Sequence, residues 1–157
     1  MSRSSSVGTC LWFASGGLEA ARRYVSLVPN SALETVAEEG GPEPMVVRFT
    51  LDGAPFQILN GGPRYRLTPA ASIVVMTPDQ AETDRLWSAL VEGGAESRCG
   101  WLVDRYGVSW QIVPEALPRL LGAEDRAAAE RAMQALLQMN KLDVAVLEAA
   151  FRGDVRA

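Results

Sequence analysis

The chain has 157 residues, 48% of them hydrophobic and 22% charged, with a formal net charge of −4. That length suits an ordinary globular core, scattered arginines form no basic face for nucleic acid, and no apolar run approaches the roughly 20 residues that span a bilayer. Histidine is absent, and Cys10 and Cys99 lie far apart. This excludes a Ser-His-Asp triad, a Cys-His pair and a mixed Cys/His zinc site, and makes a reducing cytoplasm the expected compartment.

In chain order, residues 1–8 read as a disordered tail without the apolar stretch of a signal peptide. Residues 9–14 predict a strand with Leu11 and Phe13 on one face and Cys10 and Trp12 on the other. Leu18, Ala21, Val25 and Val28 recur at helical spacing and predict a helix ending before Pro29. A weak strand (31–38) and a Gly/Pro break follow. Two strong strands, 45–51 and 54–59, are joined at Asp52-Gly53, a hairpin signal. Residues 71–76 predict another strand. Thr77 is then the expected cap of a helix with Pro78 at its first position. Leu86, Leu90 and Val91 form its apolar face, and Gly93-Gly94 its stop. Short strands near 96–103 and 108–113 come next. One helix is expected over 123–139, with Ala129, Met133, Leu136 and Leu137 on one face. Another follows Asp143 as cap, carrying Leu147, Ala150 and Phe151.

Two echoes organise these elements. Gly53-x-x-Phe56-Gln57-Ile58 returns as Gly107-x-x-Trp110-Gln111-Ile112, an offset of 107 − 53 = 54. Cys10-Leu11-Trp12-Phe13 is matched to Ser72-Ile73-Val74-Val75, an offset of 72 − 10 = 62. The fold class is therefore α+β: two tandem β-α-β-β-β modules forming a curved mixed sheet around a central cleft, plus C-terminal helices. The expected organisation is one domain over 9–118, with modules at about 9–63 and 69–114, and a helical appendage over 119–157.

The motifs Cys10-Leu-Trp-Phe, Asp52-Gly53-x-Pro55-Phe56, Leu59-Asn60-Gly61-Gly62-Pro63 and Asp84-Arg85-Leu86-Trp87 carry a family resemblance. So does the long run from Cys99-Gly100-Trp101 to Trp110-Gln111-Ile112-x-Pro114. Together they resemble the PhnB-like (3-demethylubiquinone methyltransferase-like) branch of the vicinal oxygen chelate superfamily, which includes glyoxalase, bleomycin-resistance and dioxygenase proteins. The resemblance implies a site in the cleft between modules, where metal-binding members use one residue from the first and last strand of each module. Residue matching places Cys10, Gln57, Ser72 and Gln111 there. A thiol, two amides and a hydroxyl offer no imidazole and no anionic oxygen for a hard cation, so no metal and no cofactor are expected. The methyltransferase label fits poorly as chemistry, because no G-x-G pattern follows a strand.

Residues two apart share a strand face. This assigns Gln57 and Leu59, Ser109 and Gln111, Arg48 and Thr50, and Ser72, Val74 and Met76 to the cleft side. The expected ligand-binding residues are Cys10, Trp12, Arg48, Gln57, Leu59, Ser72, Trp101 and Gln111, lining a largely apolar small-molecule pocket. The leading expectation is a metal-independent protein that binds an apolar or aromatic small molecule. One alternative is a lyase, isomerase or transferase using amide donors on a substrate oxygen; another is an assembly domain with a filled cleft. No catalytic residue is assigned. Met133, Leu136, Leu137, Met139, Leu147 and Phe151 give the C-terminal segment apolar surface that favours a homodimer.

Overall fold

The structure is a computed structural model that describes residues 6–35 and 40–154. It divides into two compact units, residues 1–67 and 68–157. The first contains β1 (Thr9–Phe13), α1 (Gly17–Leu27), β2 (Ala32–Leu33), β3 (Val46–Leu51) and β4 (Ala54–Asn60). The second repeats the order with β5 (Ile73–Thr77), α2 (Gln80–Val91), β6 (Ala95–Glu96), β7 (Trp101–Val103) and β8 (Ser109–Pro114). It then adds α3 (Ala116–Leu121), α4 (Arg126–Leu136) and α5 (Val144–Arg152). Each module is a four-stranded mixed sheet, ordered β1-β4-β3-β2 and β5-β8-β7-β6. In both, the first and last strands pair in parallel and the remaining pairs are antiparallel. The duplicated α+β architecture is thus as the echo implied.

In the first unit, Leu11, Phe13, Val47, Phe49, Leu51 and Ile58 point to one face and are buried, as alternation requires. Helix α1 covers them with Ala20, Ala21 and Tyr24, and Val28 follows just beyond its end. Tyr24 and Phe49 lie 6.3 Å apart between ring centroids. Each large side chain so buried stabilises by roughly 1.5–3 kcal/mol. Ala21 and Val28 are buried as expected, whereas Leu18 and Val25 are only half-buried and Gly17, Ala20 and Tyr24 face the sheet in their place. The cause is Gly17: the helix meets the sheet there so closely that a Cβ would stand 2.5 Å from Ile58 Cγ2. The hairpin at Asp52-Gly53 has φ of 46° and 75°, both left-handed as a two-residue turn between twisted strands requires. The expected strand over 31–38 is reduced to Ala32–Leu33, and its last part, 36–38, lies outside the described residues, as do residues 1–5 of the expected tail.

In the second unit, Thr83, Leu86, Trp87 and Leu90 of α2 are buried, as are Leu102, Trp110 and Ile112 of the sheet. The cap of α2 is Asp79, not Thr77: the Asp79 carboxylate accepts from Glu82 N at 2.8 Å. Thr77 instead ends β5, buried, with its Oγ1 2.6 Å from Thr83 Oγ1. The expected helix over 123–139 is shorter, starting after Asp125, whose side chain accepts from Ala128 N. Helix α3, absent from the sequence expectation, precedes it. Asp143 caps α5 as expected, accepting from Val146 N at 3.0 Å.

The three C-terminal helices enclose a core of their own: Leu117, Leu120, Ala132, Leu136, Leu142 and Leu147, with Met133, Met139 and Phe151 packed half-buried against it. Most of the apolar residues that argued for a partner subunit therefore cover one another; Leu137 remains 43% exposed. The helices are tied to the module through Cys99 and Gly100, consecutive left-handed residues (φ 58° and 83°). Their N–H groups donate to Met139 O and Asn140 O. Gln80 of α2 completes the clasp, donating to Leu142 O and accepting from Val144 N.

Candidate functional site

Each sheet has a second face, turned away from its covering helix, and the candidate residues lie there. In the first unit Cys10, Gln57 and Arg48 stand side by side across β1, β4 and β3, because Cys10 pairs with Gln57 and Gln57 with Arg48. Cys10 and Arg48 are exposed and Gln57 half-buried. Asn60 N donates to Met45 O at 2.9 Å; since hydrogen-bonded and non-bonded pairs alternate, Arg48 and Gln57 form a non-bonded pair, with Cα atoms about 4.5 Å apart. Among the described residues neither the Gln57 amide nor the Arg48 guanidinium has a hydrogen-bond partner. This row is thiol, amide and guanidinium, with no carboxylate.

The next row in the same unit is Trp12, Leu59 and Val46, all half-buried. Trp12 is held by its own module. Its Nε1 donates to Gly62 O at 2.9 Å, and its ring meets Tyr65 edge-on at 4.8 Å. Arg64 lies 5.3 Å over the Tyr65 ring. Gly61 is required beneath Trp12, since any Cβ there would collide with the indole. The Leu59-Asn60-Gly61-Gly62 motif is therefore a seat for Trp12.

The second unit has a matching row: Val74, Gln111 and Trp101 across β5, β8 and β7. Ile112 N donates to Gly100 O at 2.8 Å, so Trp101 and Gln111 are again a non-bonded, close pair. Gln57 and Gln111 thus occupy equivalent central positions, Arg48 and Trp101 equivalent flanks. The register corrects one expectation: the equivalent of Cys10 is Val74, at an offset of 74 − 10 = 64, not Ser72. Ser72 lies just before β5 and still reaches the row, with Gln111 Nε2 donating to its Oγ at 2.9 Å. Val74 and Met76 are 53% and 47% exposed. Ser109, on this face of β8 but outside the expected ligand-binding set, is buried, and its Oγ has no hydrogen-bond partner among the described residues. Strand parity placed it, but its isolation depends on packing that no sequence pattern records.

Neither row offers a ligand set suited to a hard divalent cation. With Val74 in place of Ser72, the paired positions hold a thiol and an amide in the first unit and an isopropyl group and an amide in the second. No group of three or more His, Cys, Asp or Glu side chains among the described residues could hold a metal ion. Nor is the glycine turn before α1 a vacant anion cradle. Gly16 N and Leu18 N donate to the Glu43 carboxylate at 3.0 and 3.2 Å, and Gly17 N to Asn60 Oδ1 at 3.0 Å. The positive end of the helix dipole is already matched by the chain's own carboxylate. No helix of the described residues is long and apolar enough to cross a membrane.

A family model described as 3-demethylubiquinone-9 3-methyltransferase matches residues 5–113, more than half of the chain. Among solved structures, a PhnB protein from Bacillus cereus is 28% identical, with a TM-score of 0.62 over 70% of this chain and 99% of its own. A protein from Pseudomonas aeruginosa is 25% identical, with a TM-score of 0.58 over 71% and 98%. The fosfomycin resistance protein FosX from Listeria monocytogenes, solved with Mn(II) and sulfate, is 12% identical, with a TM-score of 0.52 over 77% and 98%, and shares the fold. No curated protein matches the chain.

Proposed function

The chain belongs to the 3-demethylubiquinone-9 3-methyltransferase family, and from that membership we propose that it is a metal-independent protein that binds an apolar or aromatic small molecule. The observation that carries this reading is the glutamine-centred row on the face of each sheet away from its helix: Gln57 beside Cys10 and Arg48, Gln111 beside Val74 and Trp101. A few polar groups set among apolar side chains is the make-up of a small-molecule site. Methyl transfer is not the favoured chemistry. The sheets are not the parallel doubly wound kind that presents a glycine turn to a nucleotide cofactor, and Glu43 occupies the α1 N-terminus.

Thermal-shift screening against hydrophobic and quinone-like compounds tests the proposal. Ligands should raise the melting temperature, and Gln57→Ala or Gln111→Ala should reduce the rise. A panel in which no compound shifts the transition overturns it. One observation favours an enzyme as the second reading: the Gln57 amide, without a partner among the described residues, lies in register with an exposed thiol at Cys10. Neutral amide donors can stabilise a developing oxyanion. Neither row supplies a carboxylate or imidazole to move a proton, so binding is preferred.

A further inference from the structure

Two hydrogen-bonding groups on the face of the second sheet turned away from α2 lack partners among the described residues, and they are neighbours. Ser109 is 3% exposed, and its Oγ is the buried side-chain oxygen without a hydrogen bond among the described residues. Trp101 is half-buried, and its indole N–H also has no partner among them. The other three indoles are all bonded: Trp12 to Gly62 O, Trp87 to Glu96 Oε1 and Trp110 to Asp104 Oδ2. Trp101 pairs with Gln111 and Val103 with Ser109, so Trp101 and Ser109 are diagonal neighbours on one face, within about 7–8 Å between Cα atoms. Neighbouring side chains have bonds of their own. Gln111 Nε2 and Ser72 Oγ hold each other. Both Asp104 oxygens accept from Tyr106 N, Val108 N and Trp110 Nε1.

An indole N–H can only donate, and a buried hydroxyl left unbonded is costly. The Ser109 hydroxyl can donate as well as accept, so one acceptor oxygen could take a hydrogen bond from both groups. The geometry points to Trp101 and Ser109 as the polar anchor for a carbonyl-type oxygen on the ligand, with Val103 and Val74 contacting its apolar body. This rests on the binding reading above and narrows it. The preferred ligands are apolar ketones, quinones or esters, neither plain hydrocarbons nor amines.

The test uses acetophenone and α-methylstyrene, a pair alike in shape that exchanges C=O for C=CH₂. Binding is followed by NMR of the full chain, whose four tryptophans give four indole N–H signals; Trp101→Phe identifies one. Acetophenone should bind about 3- to 10-fold more tightly than the alkene, the usual worth of a neutral hydrogen bond. It should also move the Trp101 indole signal selectively. Ser109→Ala should bring the two affinities together, while Ser109→Thr should keep the preference. Equal binding of both compounds overturns the anchor and leaves the binding reading standing. Binding of neither overturns the anchor and counts against that reading as well. A preference for the ketone that survives Ser109→Ala with the Trp101 signal unmoved also overturns the anchor.

Discussion

Trp110 donates its indole N–H to Asp104 Oδ2 at 2.9 Å, joining the turn before β8 to the largest side chain in the core of the second module. The other oxygen of the same carboxylate accepts from Tyr106 N and Val108 N at 2.8 and 3.0 Å. One buried side chain thus fixes the reversal from β7 to β8, and with it the position of Gln111 next in line.

Asp104→Asn should lower stability by about 2 kcal/mol, since an amide can replace one accepting oxygen but turns its NH₂ toward a donor. Urea unfolding followed by tryptophan fluorescence measures it. An unchanged midpoint would mean that the turn is held by its backbone alone.

Acid should release the C-terminal helices from α2. Asp84 is held below the usual carboxylate range by its hydrogen bond from Lys141, then by Gln80. Glu96 is lowered by Asn140, then by Trp87. A depressed folded-state pKa stabilises above the unfolded value and loses that contribution as pH falls through the folded one. The window is therefore below the ordinary values of 3.8 and 4.5. The protection of the amides of 139–144, corrected for the intrinsic pH dependence of exchange, should fall between about pH 4.5 and 3 before that of the strands. Loss of both together would count against the clasp.

Purified without a histidine tag and dialysed, the protein should carry well below one Zn²⁺, Mn²⁺ or Ni²⁺ per chain by elemental analysis. A stoichiometric metal surviving dialysis would show that the thiol and amides bind far better than such donors normally do.

The thiols should differ in reactivity. Cys10 is exposed, whereas Cys99 is half-buried with its Sγ 3.6 Å from Leu136 O. Alkylation should mark Cys10 first, at the rate of an ordinary surface thiol. Labelling of Cys10 far faster than that would favour the enzymatic reading.

Homodimer formation remains a proposal, and its original argument is weaker because Leu136, Leu147 and Phe151 pack within their own cluster. The exposed apolar residues Val74, Met76 and Leu137 now carry it. Light scattering should give twice 16.9 kDa at micromolar concentration. A monomer mass independent of concentration would end the proposal.

Much of this was readable from the chain, for definite reasons. The burial of Leu11, Phe13, Val47, Phe49 and Ile58 follows from two-residue alternation in half-covered strands, and the equivalence of Gln57 and Gln111 from a repeat with distinctive residues. The match of Ser72 to Cys10 failed because a slip by two residues leaves every side chain on its original face. In the uniformly apolar run Ile73-Val74-Val75-Met76, periodicity cannot detect such a slip; only the pairing of Val74 with Gln111 does. Thr77 fails as the expected cap of α2 because its hydroxyl is bonded with that of Thr83, and Asp79 caps the helix instead. The isolation of Ser109 arises from surroundings assembled from distant segments.

The parallel pairing that closes each sheet has a kinetic meaning. Thr9–Phe13 joins Phe56–Asn60, and Ile73–Thr77 joins Trp110–Pro114, so every strand pair is completed on its own side of the boundary between Leu67 and Thr68. The longest loop either half must close to zip its sheet is a few tens of residues. Loop-closure entropy grows only logarithmically with that length. Neither sheet must wait for the other half of the chain before it can form, and on a ribosome the first can be complete while the second is still being made.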